Sequence, residues 1–158
     1  MAQPTTVERV RLLKNHVSIT VRNSQRKSRV DRPELEDFCA RALDAVRRLP
    51  RKPNDVLHAL REVTVVLVSD RRMAALHQDF LNTRGTTDVI TFQDGDIFIS
   101  VETAQRNARR FQTSLQDEIR LYVVHGLLHL RGFNDTAPAK SRAMNSMQRR
   151  ILGGVAAI

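Results

Sequence analysis

His125 and His129 stand four residues apart in the run His125-Gly126-Leu127-Leu128-His129-Leu130-Arg131-Gly132. Residues at that spacing stack on one face of a helix, so both imidazoles can reach a single metal ion. Burying two imidazoles among leucines without a shared partner is costly. Gly132 is placed to end the helix in a left-handed conformation, after which the chain turns back and brings Asn134 or Asp135 toward the same ion. Asp135 is the better donor, because a carboxylate brings charge as well as a lone pair. Two histidines and one aspartate leave coordination positions open, as a catalytic metal requires and a structural one does not. An ion with an open position can activate water against an ester. The competing reading is two core histidines bonded to backbone carbonyls, and spacing alone leaves it open. The residue after His125 is Gly126 rather than glutamate, so the helical zinc-protease pattern that supplies its own general base is absent. His16, His58 and His77 have no such partner and read as surface or packing residues.

The elements that must hold these residues are legible in the periodicity. Val17, Ile19 and Val21 alternate with polar residues over His16–Asn23, the pattern of a half-buried strand. A helix follows from near Asp31, with Pro33 in its first turn and Leu35, Phe38, Cys39, Ala42, Leu43 and Val46 on one stripe. Cys39 belongs to that stripe and reads as a small core residue, not a nucleophile. After a basic connector at Pro50–Pro53, Glu62–Val68 is a strand apolar enough to be buried on both faces. Ser69 or Asp70 caps the next helix, which is expected to carry Met73, Leu76 and Phe80 inward. Val89–Phe92 and Ile97–Val101 are two strands joined by a tight turn at Asp94-Gly95. Ser100 caps a helix through Phe111, with its arginines turned away from Ala104 and Ala108. Ser114 with Asp117 opens the histidine-bearing helix, which runs through Leu130 and is apolar almost all round, hence the most buried. A last helix from about Pro138 to Leu152 buries Met144, Met147 and Ile151. The expected fold is therefore α+β: a small mixed four-stranded sheet in βαβαββ order, helices packed against it, and a buried central metal-binding helix. Each strand–helix–strand step calls for a right-handed crossover.

Composition narrows the function. The 158 residues suit one domain, and 41% hydrophobic content supports a packed core. No apolar run approaches the roughly 18 residues a membrane span needs. Met1–Asn15 lacks the apolar stretch of a secretory signal. It reads as an N-terminal extension in which Val7, Val10 and Leu13 line one side of a short helix. Residues 16–152 form the single expected domain and residues 153–158 a tail. A lone cysteine excludes an intramolecular disulfide and a multi-thiolate zinc site, which makes the cytoplasm the default address. The 26 Lys and Arg against 17 Asp and Glu give a formal charge of +9. They cluster at Arg22–Arg29, at Arg47, Arg48, Arg51 and Lys52, at Arg106, Arg109 and Arg110, and over Lys140–Arg150. Such clusters suit a polyanion, although a merely well-solvated surface has the same composition. With no Trp and one Tyr, base stacking is not expected to dominate any nucleic-acid contact.

The stretch from His125 to Phe133 resembles the His-Gly-x-Leu-His-Leu-x-Gly-aromatic motif of the YbeY family of endoribonucleases. Leu81-Asn82, Thr87-Asp88-Val89-Ile90-Thr91-Phe92, Gly95-Asp96-Ile97, Ser100 and Val101-Glu102-Thr103-Ala104 are similar in turn, so the resemblance spans about Val63 to Met147. It implies a metal-dependent hydrolase, an endonuclease cutting single-stranded RNA in rRNA processing, ribosome biogenesis and ribosome quality control. By the same resemblance one ion, Zn²⁺, is held by His125, His129 and Asp135, and His125 and Arg84 act catalytically. The partners implied are single-stranded RNA and the ribosome. Two departures stand out. Asn134-Asp135 replaces the family's usual Asp-His, so the third histidine ligand maps onto Asp135. The Asn82–Thr87 loop reads as shorter than usual and retains Arg84 as the local arginine. The rival readings are a ribosome-associated RNA-binding protein whose metal is only structural, and a metal hydrolase of peptides or small molecules, which the charge and the missing glutamate disfavour.

Overall fold

A computed structural model describes residues 2–3, 5–9 and 16–156. Of the expected N-terminal stripe, Val7 is exposed, and Val10 and Leu13 lie outside the described residues. The sheet comprises β1 (Ser18–Asn23), β2 (Glu62–Val68), β3 (Val89–Thr91) and β4 (Asp96–Ser100), in the spatial order β1-β2-β4-β3. β1, β2 and β4 run parallel, and β3 pairs antiparallel with β4 at the edge. The main helices are α1 (Arg32–Arg47), α2 (Asp70–Leu81), α3 (Val101–Phe111), α4 (Leu115–Leu130) and α5 (Pro138–Ala156), with a short 3₁₀ turn at Leu57–Ala59, and residues 6–9 are also helical. This is the expected mixed α+β arrangement in βαβαββ order. Among the described residues no helix is long and apolar enough to cross a membrane.

Strand alternation sends successive side chains to opposite faces, and β2 uses both. Val63, Val65 and Leu67 join Ile97 and Ile99 under α1 and α4 in the main core. Val66 and Val68 face the other way and meet Met73 and Leu76 of α2 with Ile90 of β3. The stripe of α1 is buried as its spacing predicts, from Leu35 to Val46, with Asp31 capping the helix by accepting the Glu34 amide. Burial pushes the Cys39 thiol up to about 12, and Glu36 adds to the shift, so the side chain behaves as an inert core residue. Ser69, Ser100 and Ser114 each cap the helix that follows them. α5 continues past Leu152 through Gly153 and Gly154, and buries Val155.

One helix departs from expectation. The periodicity of α2 predicts Phe80 inward-facing with Met73 and Leu76, but it is 64% exposed. The helical stripe continues geometrically, yet the sheet beneath it ends at the edge strand β3. Phe80 therefore meets only the flank of the small core, against the ring of Phe92.

The starts of α2 and α3 are tied together at Asp70. Its carboxylate accepts from Ser100 Oγ at 2.5 Å, Thr103 Oγ1 at 2.7 Å, Arg106 Nη1 at 2.6 Å and Thr86 Oγ1 at 3.3 Å. Burial alone would raise its pKa, but the bonds from Arg106, Ser100 and Thr103 and the Arg106 charge together hold it at about 2. A carboxyl held down in the folded state stabilises fully above its unfolded pKa, near 4, and stops doing so as pH falls toward 2. Unfolding measured from pH 6 to pH 2 is expected to show Asp70→Asn less stable than wild type at pH 6, with the gap closing below pH 4.

Gly126 of α4 lies against the sheet so closely that an added Cβ would sit 2.8 Å from two carbons of Ile97 and 3.0 Å from Thr91 Oγ1. Ile97 is branched at Cβ and fully buried, so it cannot swing away. Overpacking costs about 1–3 kcal/mol, against a helix-propensity gain of about 1 kcal/mol for alanine over glycine. Gly126→Ala is thus expected to lower stability by up to about 2 kcal/mol, read as an earlier denaturation midpoint at unchanged slope.

Candidate metal centre

α4 positions both histidines because nearly every other face of it is buried. Ile119, Val123, Val124, Leu127, Leu128 and Leu130 are all enclosed, while His125 and His129 remain half-buried along the side that opens beside β3. The helix ends in a Schellman turn. The Gly132 amide donates to the His129 carbonyl and the Phe133 amide to the Leu128 carbonyl, both at 3.0 Å, with Gly132 at φ +100°. Glycine is needed there twice over, because a Cβ would also come within 2.9 Å of Lys52 Cβ. A buried clamp fixes the turn. Arg131, 5% exposed, donates to Asp55 Oδ2 at 2.9 Å and to the carbonyls of Arg47 and Leu49 at 2.9 and 2.5 Å. The Val56 amide caps the Leu130 carbonyl at 2.9 Å.

The chain reversal carries Asp135 back toward the histidines. His125 Nε2 and His129 Nε2 are 2.9 Å apart, and Asp135 Oδ2 lies 3.9 Å from His125 Nε2. Donor atoms of the three residues all fall within 4.8 Å of one another. Tetrahedral zinc with bonds of about 2.0–2.1 Å keeps its ligand atoms about 3.3 Å apart, so the cluster has the dimensions of a one-ion site. Tautomer supports this fit. His125 Nδ1 lies 2.5 Å from Gln148 Oε1 of α5, an oxygen that can only accept, so Nδ1 carries the proton and Nε2 presents its lone pair to the cluster. Burial first, then the neighbouring His125, lower the pKa of His129 against the opposing pull of Asp135 and the Phe133 backbone. The neutral ring is thereby favoured, which is the form that binds a metal.

The histidines open onto a cleft of about 420 Å³ between the end of α2, strand β3 and the end of α4. Leu81, Val89, Phe92, Phe133 and Asn134 help to line it. Of the residues singled out in the sequence, His125, His129 and Asp135 come together. Arg84 does not join them: it is exposed on the turn after α2, outside the residues lining the cleft, which include no Lys or Arg. Three participants escaped sequence reasoning. His77, by sequence a surface or packing residue, lines the cleft and binds the Gly85 carbonyl through Nδ1 at 2.9 Å. Its position four residues before Leu81 placed it on the same face, but nothing in the sequence said that this face borders α4. Gln148 and Asp55 act on α4 from distant segments and carry no local signal.

A family model described as Endoribonuclease YbeY matches residues 20–156. An endoribonuclease YbeY of Thermobifida fusca is 37% identical, with 68% of this chain and 81% of that protein covered. One from Acidothermus cellulolyticus is 29% identical over 78% of this chain and 82% of its own length. A solution structure of a Thermotoga maritima protein superposes with a TM-score of 0.61 at 25% identity, covering 87% of this chain and 88% of that one.

Partners that orient a ligating histidine typically contribute 10–100-fold to metal affinity. Gln148→Leu removes the acceptor for His125 Nδ1 and is expected to weaken binding of a divalent metal ion by about that factor, as measured by competition with a chromophoric chelator.

Proposed function

Because this chain belongs to the endoribonuclease YbeY family, we propose that it is a metal-dependent hydrolase that cuts single-stranded RNA during ribosomal RNA maturation and ribosome quality control. The observation that carries this reading is the convergence of His125, His129 and Asp135 on one point beside an open cleft. The proposed ion is Zn²⁺, held by those three residues with a position left for water or substrate. When bound, it supplies Lewis-acid polarisation of the phosphoryl group and a nucleophile at neutral pH. Gln148 keeps the His125 lone pair aimed at the centre. Asp135 adds a negative charge where the family's usual ligand is a neutral ring, which favours harder divalent ions as well as zinc. Arg84 is proposed to steady the charge developing on the scissile phosphate. Its neighbour Gly85 is bound to His77 on the cleft wall, which keeps the turn beside the site. Exposed arginines such as Arg71, Arg109 and Arg110 position the RNA backbone without reading sequence. A cytoplasmic setting goes with this reading. The non-enzymatic alternative is disfavoured, since the matching family is named for its nuclease activity.

The test uses protein purified without a histidine tag. Elemental analysis is expected to find about one ion per chain, and chelation is expected to stop cleavage of labelled single-stranded RNA until metal is returned. His125→Ala and His129→Ala should lose both metal and activity, and Asp135→Ala should lose metal affinity. Arg84→Ala should keep the metal and lose on the order of a hundred-fold in rate. Raising salt from low to physiological concentration should weaken RNA binding steeply. Full activity in rigorously metal-free wild-type protein would overturn the proposal.

A further inference from the structure

Phe80 and Leu81, in the last turn of α2, are 64% and 51% exposed. Single exposed apolar residues need no explanation, but these two adjoin each other and a cleft. Leu81 lines that cleft with His125 and His129, and so does Phe92 on the strand side. Phe80 packs against Phe92 with ring centroids 5.3 Å apart and planes at 74°. Phe92 is in turn braced on Phe98 at 5.7 Å and 88°. The rings pass from Phe98 at the small core through Phe92 on the cleft wall to the exposed Phe80. Edge-to-face packing fixes the orientation of each ring, so Phe80 is held in place while most of it stays in water.

We propose that Phe80, braced by Phe92 and flanked by Leu81, seats one unpaired nucleobase of the RNA strand whose phosphate enters the cleft. The inference deepens the reading that RNA is the substrate and rests on it. A nucleobase presents a flat π-face that stacks on an aromatic ring regardless of its identity. The basic surface cannot by itself select single strands, because it neutralises phosphates of single and double strands alike. A ring whose neighbours Leu81 and Phe92 line the cleft of His125 and His129 can, since a base inside a duplex has both faces covered by its neighbours. One seat of this kind agrees with the scarcity of aromatics elsewhere, because it positions a base and is not an extended stacking platform. A second copy of the chain is a poorer occupant: two side chains fall far short of the roughly 800 Å² per partner of a stable interface.

The experiment is a cycle between Phe80 variants and RNAs that each lack one base. Metal-loaded wild type, Phe80→Ala and Phe80→Trp are compared by kcat/KM on a short single-stranded RNA and on the same strand with an abasic site at each position in turn. Phe80→Ala is expected to lose about ten-fold or more on the intact strand, with metal content unchanged and the fold retained at a slightly lower melting temperature, and Phe80→Trp is expected to retain activity. One abasic position near the cut should cost wild type a similar factor and cost Phe80→Ala nothing further. If Phe80→Ala cuts the intact strand as well as wild type does, or if every abasic penalty is the same in both proteins, the seat does not exist, although the nuclease reading stands. If the variant alters only the oligomeric state in sedimentation, the patch is a contact between copies and the inference fails. Wild type that neither binds nor cuts RNA overturns the parent reading and this one together.

Discussion

Nothing larger than a hydrogen atom fits between α4 and the sheet at residue 126, and that contact sets the rotation of the helix about its own axis. With Gly126 pressed onto Ile97 and Thr91, the neighbouring positions of α4 have no freedom in where they point. His125 and, one turn later, His129 fall on the side that opens beside β3. A larger residue at 126 would push the helix outward and separate the histidines from the cleft wall. The absence of a side chain at this position therefore determines where two other side chains go. It also explains a glycine in the middle of a helix, where glycine is intrinsically unfavourable.

The second constraint lies at the other end of the same helix. Asp135 reaches the histidines only because the chain reverses sharply at Gly132, and the reversal is pinned by the Arg131 guanidinium in a buried pocket of carbonyls closed by Asp55. Burying an ion pair is not in itself a strong source of stability, because desolvation offsets much of the attraction. Its value here is directional. Breaking it would leave a charge uncompensated inside the protein, so the end of α1, the 52–56 segment and the end of α4 hold one arrangement. Lys52 stacked over Phe133 at 4.4 Å adds to the same junction from the solvent side.

What the sequence disclosed follows from how local each cause is. The stripe of α1, the three serine caps, the hairpin at Asp94-Gly95 and the left-handed Gly132 are consequences of residues within a turn or two of each other, and all were legible. The α4 histidines were legible for the same reason. Phe80 was misplaced because its burial depends on where the sheet stops, which no property of α2 encodes. His77, Gln148 and Asp55 were missed because each acts across the fold, on groups far away in the chain. Gln148 looks like any polar residue on a basic amphipathic helix until α5 is docked and its oxygen meets His125. The departure at Asp135 was visible by counting from His129, while its closeness to the cluster required the Schellman turn to be seen in three dimensions.

The pairing of His125 with Gln148 has a consequence for the order in which the protein is made. Chains emerge from the N-terminus and tend to fold as the segments they need become available. The sheet is complete once β4 is synthesised, and both histidines follow on α4, yet the residue that orients the first of them belongs to α5, later still in the chain. A nascent chain through Leu130 has its two imidazoles but neither Asp135 nor the amide that selects the tautomer. The cluster is thus completed only after α5 has been made and docks on α4. Docking of α5 on α4 is therefore the step that completes the cluster, and a fold with α5 undocked has its histidines in place but the first of them unoriented.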